Sequence, residues 1–210
     1  MKKMLRIFSS IVAVALMAAV FVTPASAATG YQGYAIYRDQ VIIAGPGITN
    51  WHAGIMYDPY TSTSSIPLIH HPGSGYVQFG TWAQFMDGKT FMGVYAPKSG
   101  ISSAGRDKVR NMSYKLATDQ IPYHPWGQMF VDEFVFNTTQ PRVEPRNITG
   151  MRCDGVVEYC YEYYDYRIWG SGNTWNISRN NRDCFNAHNN IVVNPVTQAI
   201  DMTKITSSKP

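Results

Sequence analysis

The chain has 210 residues and a formal charge of +4, from 18 Lys and Arg against 14 Asp and Glu. Three of those cations (Lys2, Lys3 and Arg6) lie in a terminal segment expected to be removed, so the remainder carries about +1, too little clustered basic charge for a nucleic-acid footprint. At 45% hydrophobic and 15% charged residues, the composition is that of a chain able to bury a core, which excludes a disordered polypeptide.

The N-terminus reads as an address. Behind Lys2, Lys3 and Arg6, residues 11–22 form an apolar run, shorter than the roughly 20 residues a membrane span needs. Pro24 then breaks it, and Ala25-Ser26-Ala27 supplies the small residues of a cleavage site. Residues 1–27 are therefore expected to be a signal peptide that is removed, placing the protein outside the cell or in the cell envelope with no stable membrane span. Residues 28–210 are expected to form one domain with a Gly/Asn-rich C-terminal extension from about residue 170.

Short strand-like runs come first. Tyr34-Ala35-Ile36-Tyr37 and Val41-Ile42-Ile43 are split by the polar Arg38-Asp39-Gln40, and Gly45-Pro46-Gly47 marks a turn. Residues 51–57 and 66–71 read as two strands of a hairpin, closed by Pro72-Gly73. Residues 76–79 and 90–95 are further strands, with a short helix at 82–86 between them. At Ser102 the period changes. Val109, Met112 and Leu116 share the face of a helix expected to reach about Ala117. Residues 130–136 suit a strand or extended arm, and 137–149, with Pro141 and Pro145, a polar connection. A second amphipathic helix follows, over 153–164, with Cys153, Val156, Val157, Cys160 and Tyr164 on one face and Thr149 or Gly150 as its cap. Residues 170–190 read as loop and 191–193 as a last strand. The pattern is α+β: a small antiparallel sheet against the cysteine-bearing helix and one or two others.

The chemistry concentrates at Cys153. A cysteine at a helix start meets backbone N–H groups and a dipole that favour a thiolate. A nucleophilic cysteine also needs a base, and the base an orienting group. His52 stands on the strand at 51–57, and a turn near Thr61 would bring it opposite residue 70. His70 is the expected partner, with one residue of register separating it from His71 on the other face. Oxyanion stabilisation would come from the Cys153 N–H, with Tyr34 or Tyr37 as candidate second donors. Trp51, Tyr76 and Trp126 are candidates to line a substrate groove. With three cysteines, Cys160 and Cys184 could pair and leave Cys153 free. The five histidines show no His-Glu-x-x-His or paired-cysteine spacing, so neither a metal nor another cofactor is expected.

Three short motifs, His52-Ala53-Gly54-Ile55, Leu68-Ile69-His70-His71 and Cys153-Asp154-Gly155-Val156-Val157, make residues 31–165 resemble the circularly permuted branch of the NlpC-type, papain-like cysteine peptidases and amidases. The resemblance implies Cys153 as nucleophile, His52 as base and His70 as the residue that orients it. It also implies an amide substrate, a cell-wall (peptidoglycan-derived) peptide or similar small amide. Asp154 departs from the more usual serine and brings a negative charge to the thiol, which pairing with Arg152 is expected to offset. Permuted relatives also include lipid acyltransferases and esterases using the same residues. A secreted binding domain in which the cysteines serve the fold is the alternative outside catalysis.

Overall fold

A computed structural model describes residues 30–42, 49–58, 66–125, 128–131, 143–169 and 193–210. The signal segment, Trp126, Cys184 and the whole of the loop expected at 170–190 lie outside the described residues, as do most of the strand expected at 191–193 and of the arm at 130–136.

Among the described residues, eight strands and four α-helices follow one another as β1 (Ala35–Ile42), β2 (Thr49–Met56), β3 (Leu68–His70), β4 (Gln78–Gly80), α1 (Trp82–Met86), β5 (Phe91–Pro97), α2 (Ser103–Thr118), β6 (Met129–Val131), β7 (Ile148–Met151), α3 (Cys153–Glu162), α4 (Pro195–Asp201) and β8 (Met202–Thr206), with a 3-10 turn at Pro145–Asn147 before β7. Six strands make one sheet in the order β4-β3-β2-β1-β5-β8, every neighbouring pair antiparallel, and β6 and β7 form a separate pair. The α+β architecture is thus an antiparallel sheet with a few helices.

The strand period of two divides the core. Ala35, Tyr37, Ala53, Ile55 and Ile69 pack with Val109, Met112 and Leu116 of α2 and Val156, Val157 and Cys160 of α3. The alternate residues Ile36, Met56, Leu68 and Val94 pack on the other face with Phe85 of α1. Ser102 caps α2, its hydroxyl accepting the Gly105 N–H at 3.1 Å. Among the described residues no helix is long and apolar enough to cross a membrane.

Several elements differ from expectation. The two runs at the start are one strand, β1, with irregular register. Arg38 stays buried within it because its Nε donates to the Phe85 carbonyl at 2.5 Å. The connection before the cysteine helix contains β7, which ends one residue before the helix. The cap is Arg152, with no side-chain capping bond, rather than Thr149 or Gly150. The end of the C-terminal extension belongs to the domain: β8 pairs with β5, and Asn194 caps α4 through the N–H groups of Val196 and Thr197.

Candidate active site

The β2–β3 ladder sets the first half of the site. Gly54, not His52, lies opposite His70. The two-residue offset preserves face, because side chains repeat every second position. The diagonal neighbours His52 and His70 therefore meet, Nε2 of His52 lying 2.7 Å from Nδ1 of His70. Both are buried, and the Phe85 ring lies 5.2 Å from His52 and 5.7 Å from His70, centroid to centroid. For His52 to accept a proton at Nδ1, its Nε2 must carry the hydrogen and donate it to His70. Burial, then the charges of His70, Arg38 and His71, push His52 well below the usual imidazole range. His70 is pushed down to about 4 by burial, His71 and Arg38. Both rings are neutral at neutral pH. His71 points away from the pair, its ring 5.0 Å from that of Tyr123.

The second half is the start of α3. The chain leaves β7, turns through Arg152 and enters the helix at Cys153. Gly155 makes the turn possible: a Cβ there would stand 1.9 Å from the Gln128 carbonyl oxygen, which accepts the Arg152 N–H at 3.1 Å. Cys153 is half-buried as a residue, and the backbone N–H groups of Ala53 and Asp154 lie where they favour the charged form of its sulfur. The β2–β3 ladder has ended by then, its last pair being Gly54 with His70. The thiol thus meets β2 at the residue next to His52. No hydrogen bond joins the sulfur to the His52 ring, whose Nε2 is taken by His70.

The electrostatics differ from the helix-start expectation. Burial, and next the Asp154 charge, push the Cys153 thiol up to about 12, against smaller opposing effects from the Ala53 N–H, Arg152 and the Asp154 N–H. Arg152 does hold Asp154 in a fork, Nε to Oδ1 at 2.9 Å and Nη2 to Oδ2 at 2.6 Å. That pairing does not cancel the carboxylate's effect on the sulfur. These shifts favour a neutral thiol and neutral imidazoles over an ion pair.

Other expected residues fall elsewhere. Tyr37 is fully buried, its hydroxyl donating to Gln198 Oε1 at 3.4 Å, and Tyr34 stacks against Arg106, 4.7 Å from guanidinium carbon to ring centroid. Neither serves the thiol. Trp51 packs against the core near Tyr37, and Tyr76 is exposed. Cys160 is a free, fully buried thiol, and the pairing with Cys184 falls outside the described residues.

Three neighbours were not singled out from sequence. Tyr123 is half-buried and its hydroxyl is raised by burial and then by the Cys153 charge, which places it in the electrostatic surroundings of the sulfur. Arg38 lies opposite His52 across the β1–β2 ladder. Buried Glu158, one helical turn beyond the thiol's own, accepts from Gln128 and Gln198. Only Tyr123 left a trace in the sequence, as an aromatic in a Pro-rich stretch. Among the described residues no group of three His, Cys, Asp or Glu side chains is placed to hold a metal ion. Comparison with protein-family models, curated proteins and solved structures finds no match.

Proposed function

We propose that the protein is an exported cysteine hydrolase of the permuted NlpC-type, papain-like kind, cleaving an amide bond in a cell-wall peptide or similar small amide. The observation that carries this reading is the approach of the Cys153 sulfur to β2 at Ala53, the residue that follows His52, whose imidazole is held by that of His70. In this reading Cys153 of α3 supplies the nucleophile, His52 of β2 the base and His70 of β3 the orienting group.

In the proposed reaction the Cys153 thiol passes its proton to Nδ1 of His52 as sulfur bonds to the amide carbonyl carbon. His70 holds the ring that becomes positive. The tetrahedral oxygen is met by the Cys153 N–H, and Tyr123 replaces Tyr34 and Tyr37 as candidate second donor. Collapse breaks the C–N bond, and the leaving amine takes the proton from His52. Water then adds to the thioester, giving its proton to His52, and the acid departs as the thiol re-forms. Because thiol and imidazole are both neutral at rest, proton transfer accompanies attack rather than preceding it. Hydrogen bonds that tighten only with substrate bound are common in such sites.

The test is release of new amino groups from peptidoglycan-derived peptides. Cys153→Ala is expected to lower the rate by at least about 10³-fold, and His52→Ala comparably, since such residues act as a unit. An unaltered rate in folded Cys153→Ala would end the proposal. Tyr123→Phe is expected to lower kcat by about tenfold or more with little change in KM, as for a donor engaged only in the transition state.

A further inference from the structure

The C-terminal segment grips the first turn of α3 at two points. Arg152 Nη2, already on Asp154, also donates to the Val193 carbonyl at 2.7 Å. Gln198 of α4, fully buried, donates from Nε2 to the Asp154 carbonyl at 2.9 Å and to Glu158 Oε2 at 2.7 Å. Those bonds use both amide hydrogens, and Gln198 Oε1 accepts from the Tyr37 hydroxyl of β1. Gln128 Nε2 adds a second donor to Glu158 Oε2 at 2.8 Å. One buried amide thus ties β1, α4 and two turns of the helix that starts with Cys153. A solvent-facing glutamine would contribute little. A buried one shared by three partners fixes their relative positions, because losing it removes a bond from each, although Glu158 keeps Gln128 and Tyr37 keeps Met202 Sδ.

We propose that Gln198 is a positioning residue of the site: by holding the Asp154 carbonyl it keeps the Cys153 sulfur against the Ala53 N–H, beside His52. The inference rests on the reading of Cys153 as nucleophile, and it makes residues 193–206 part of the site rather than an appendage. Gln198 touches no reacting atom. It acts through the main chain of the residue after the nucleophile.

The test uses the mature full-length protein and two reagents. p-Nitrophenyl acetate acylates a nucleophilic cysteine: the sulfur bonds to the acetyl carbon, p-nitrophenolate leaves, and the thiol proton passes to His52. Iodoacetamide reports the sulfur's accessibility and ionisation without needing the His52 geometry. In Gln198→Met, which keeps volume and removes the donors, acylation at Cys153 is expected to fall about tenfold, the order of loss from a misplaced reacting group. The released sulfur gains solvent, so its iodoacetamide pH profile is expected to move to lower pH. A purely structural glutamine would lower thermal stability and leave both readouts unchanged. Acylation within twofold of wild type, with an unmoved alkylation profile, in folded Gln198→Met overturns the proposal. If that variant does not fold, Glu158→Leu/Gln198→Met removes the buried carboxyl with its donors, and the same outcomes decide. Should wild type show no acylation at Cys153, the hydrolase reading fails by itself. The alkylation profile of the Gln198 variant then decides whether Gln198 positions the thiol.

Discussion

At the scale of residues, the neighbour that most distinguishes this site is Asp154, buried directly after Cys153 and forked by Arg152. Its charge and the burial of the sulfur together hold the thiol near 12. Asp154→Asn removes the charge and releases Arg152 to favour a thiolate, so both changes act in one direction. Iodoacetamide modification of Cys153 at pH 8 is expected to rise severalfold. Breaking a largely buried ion pair is expected to cost about 3 kcal/mol of stability, measured by urea unfolding. A slower modification would show that the carboxylate does not govern the thiol. The meeting of His52 with His70 was legible in the sequence because each lies in a short motif with an apolar frame. The sign of the thiol shift was not: a helix start favours the thiolate, but burial and the Asp154 charge outweigh the Ala53 N–H and Arg152 around the sulfur.

At the scale of elements, the strand-to-helix turn at residues 151–155 depends on a missing side chain. Gly155→Ala would drive a Cβ to 1.9 Å from the Gln128 carbonyl oxygen, and backbone cannot yield as a flexible side chain can. The cost is expected to be about 3 kcal/mol, with loss of Cys153 reactivity, since α3 must move away from β6. Ser102→Ala offers a contrast. It removes the α2 cap, should cost about 1 kcal/mol by urea unfolding, and should leave Cys153 chemistry unchanged. Equal effects of the two substitutions on Cys153 would contradict this account. Helix α2 was readable from its period and its Ser102 start. The hairpin was readable in face but not in register: Gly54 rather than His52 opposes His70, because the connecting residues do not declare how many belong to the turn. α4 carried a signal in Asn194-Pro195, a cap followed by a pre-set first turn, but its seven residues are too few for a period to emerge.

At the scale of the whole molecule, the fold places buried histidines where protonation competes with folding. His70 and His71 are each held near 4, against an ordinary value of 6.5, chiefly by burial. A depressed imidazole means that the unfolded chain takes up the proton first. The stability these groups contribute is complete above pH 6.5 and is lost as pH falls from 6.5 toward 4. Each contributes up to about 3 kcal/mol across that interval. Thermal unfolding midpoints are expected to fall steeply between pH 6.5 and 4, and His71→Gln should flatten the slope. A midpoint independent of pH over that range would mean that the rings are hydrated or paired as cations. Overall architecture was legible as α+β from alternating strands and two amphipathic helices. The return of the C-terminus was not, since three successive exposed residues in β8 read as surface rather than as a strand pairing with β5.

The central claim is that Cys153 reacts as a nucleophile because His52, held by His70, receives its proton. The most direct measurement is peptide mass mapping of the native protein after brief exposure to p-nitrophenyl acetate, for wild type and for His52→Ala. The account predicts an acetyl group on Cys153 in wild type and its loss in the variant, with Cys160 unmodified in both. Acetylation of Cys153 at the same rate without His52, or modification of Cys160 or Cys184 while Cys153 stays untouched, would contradict it.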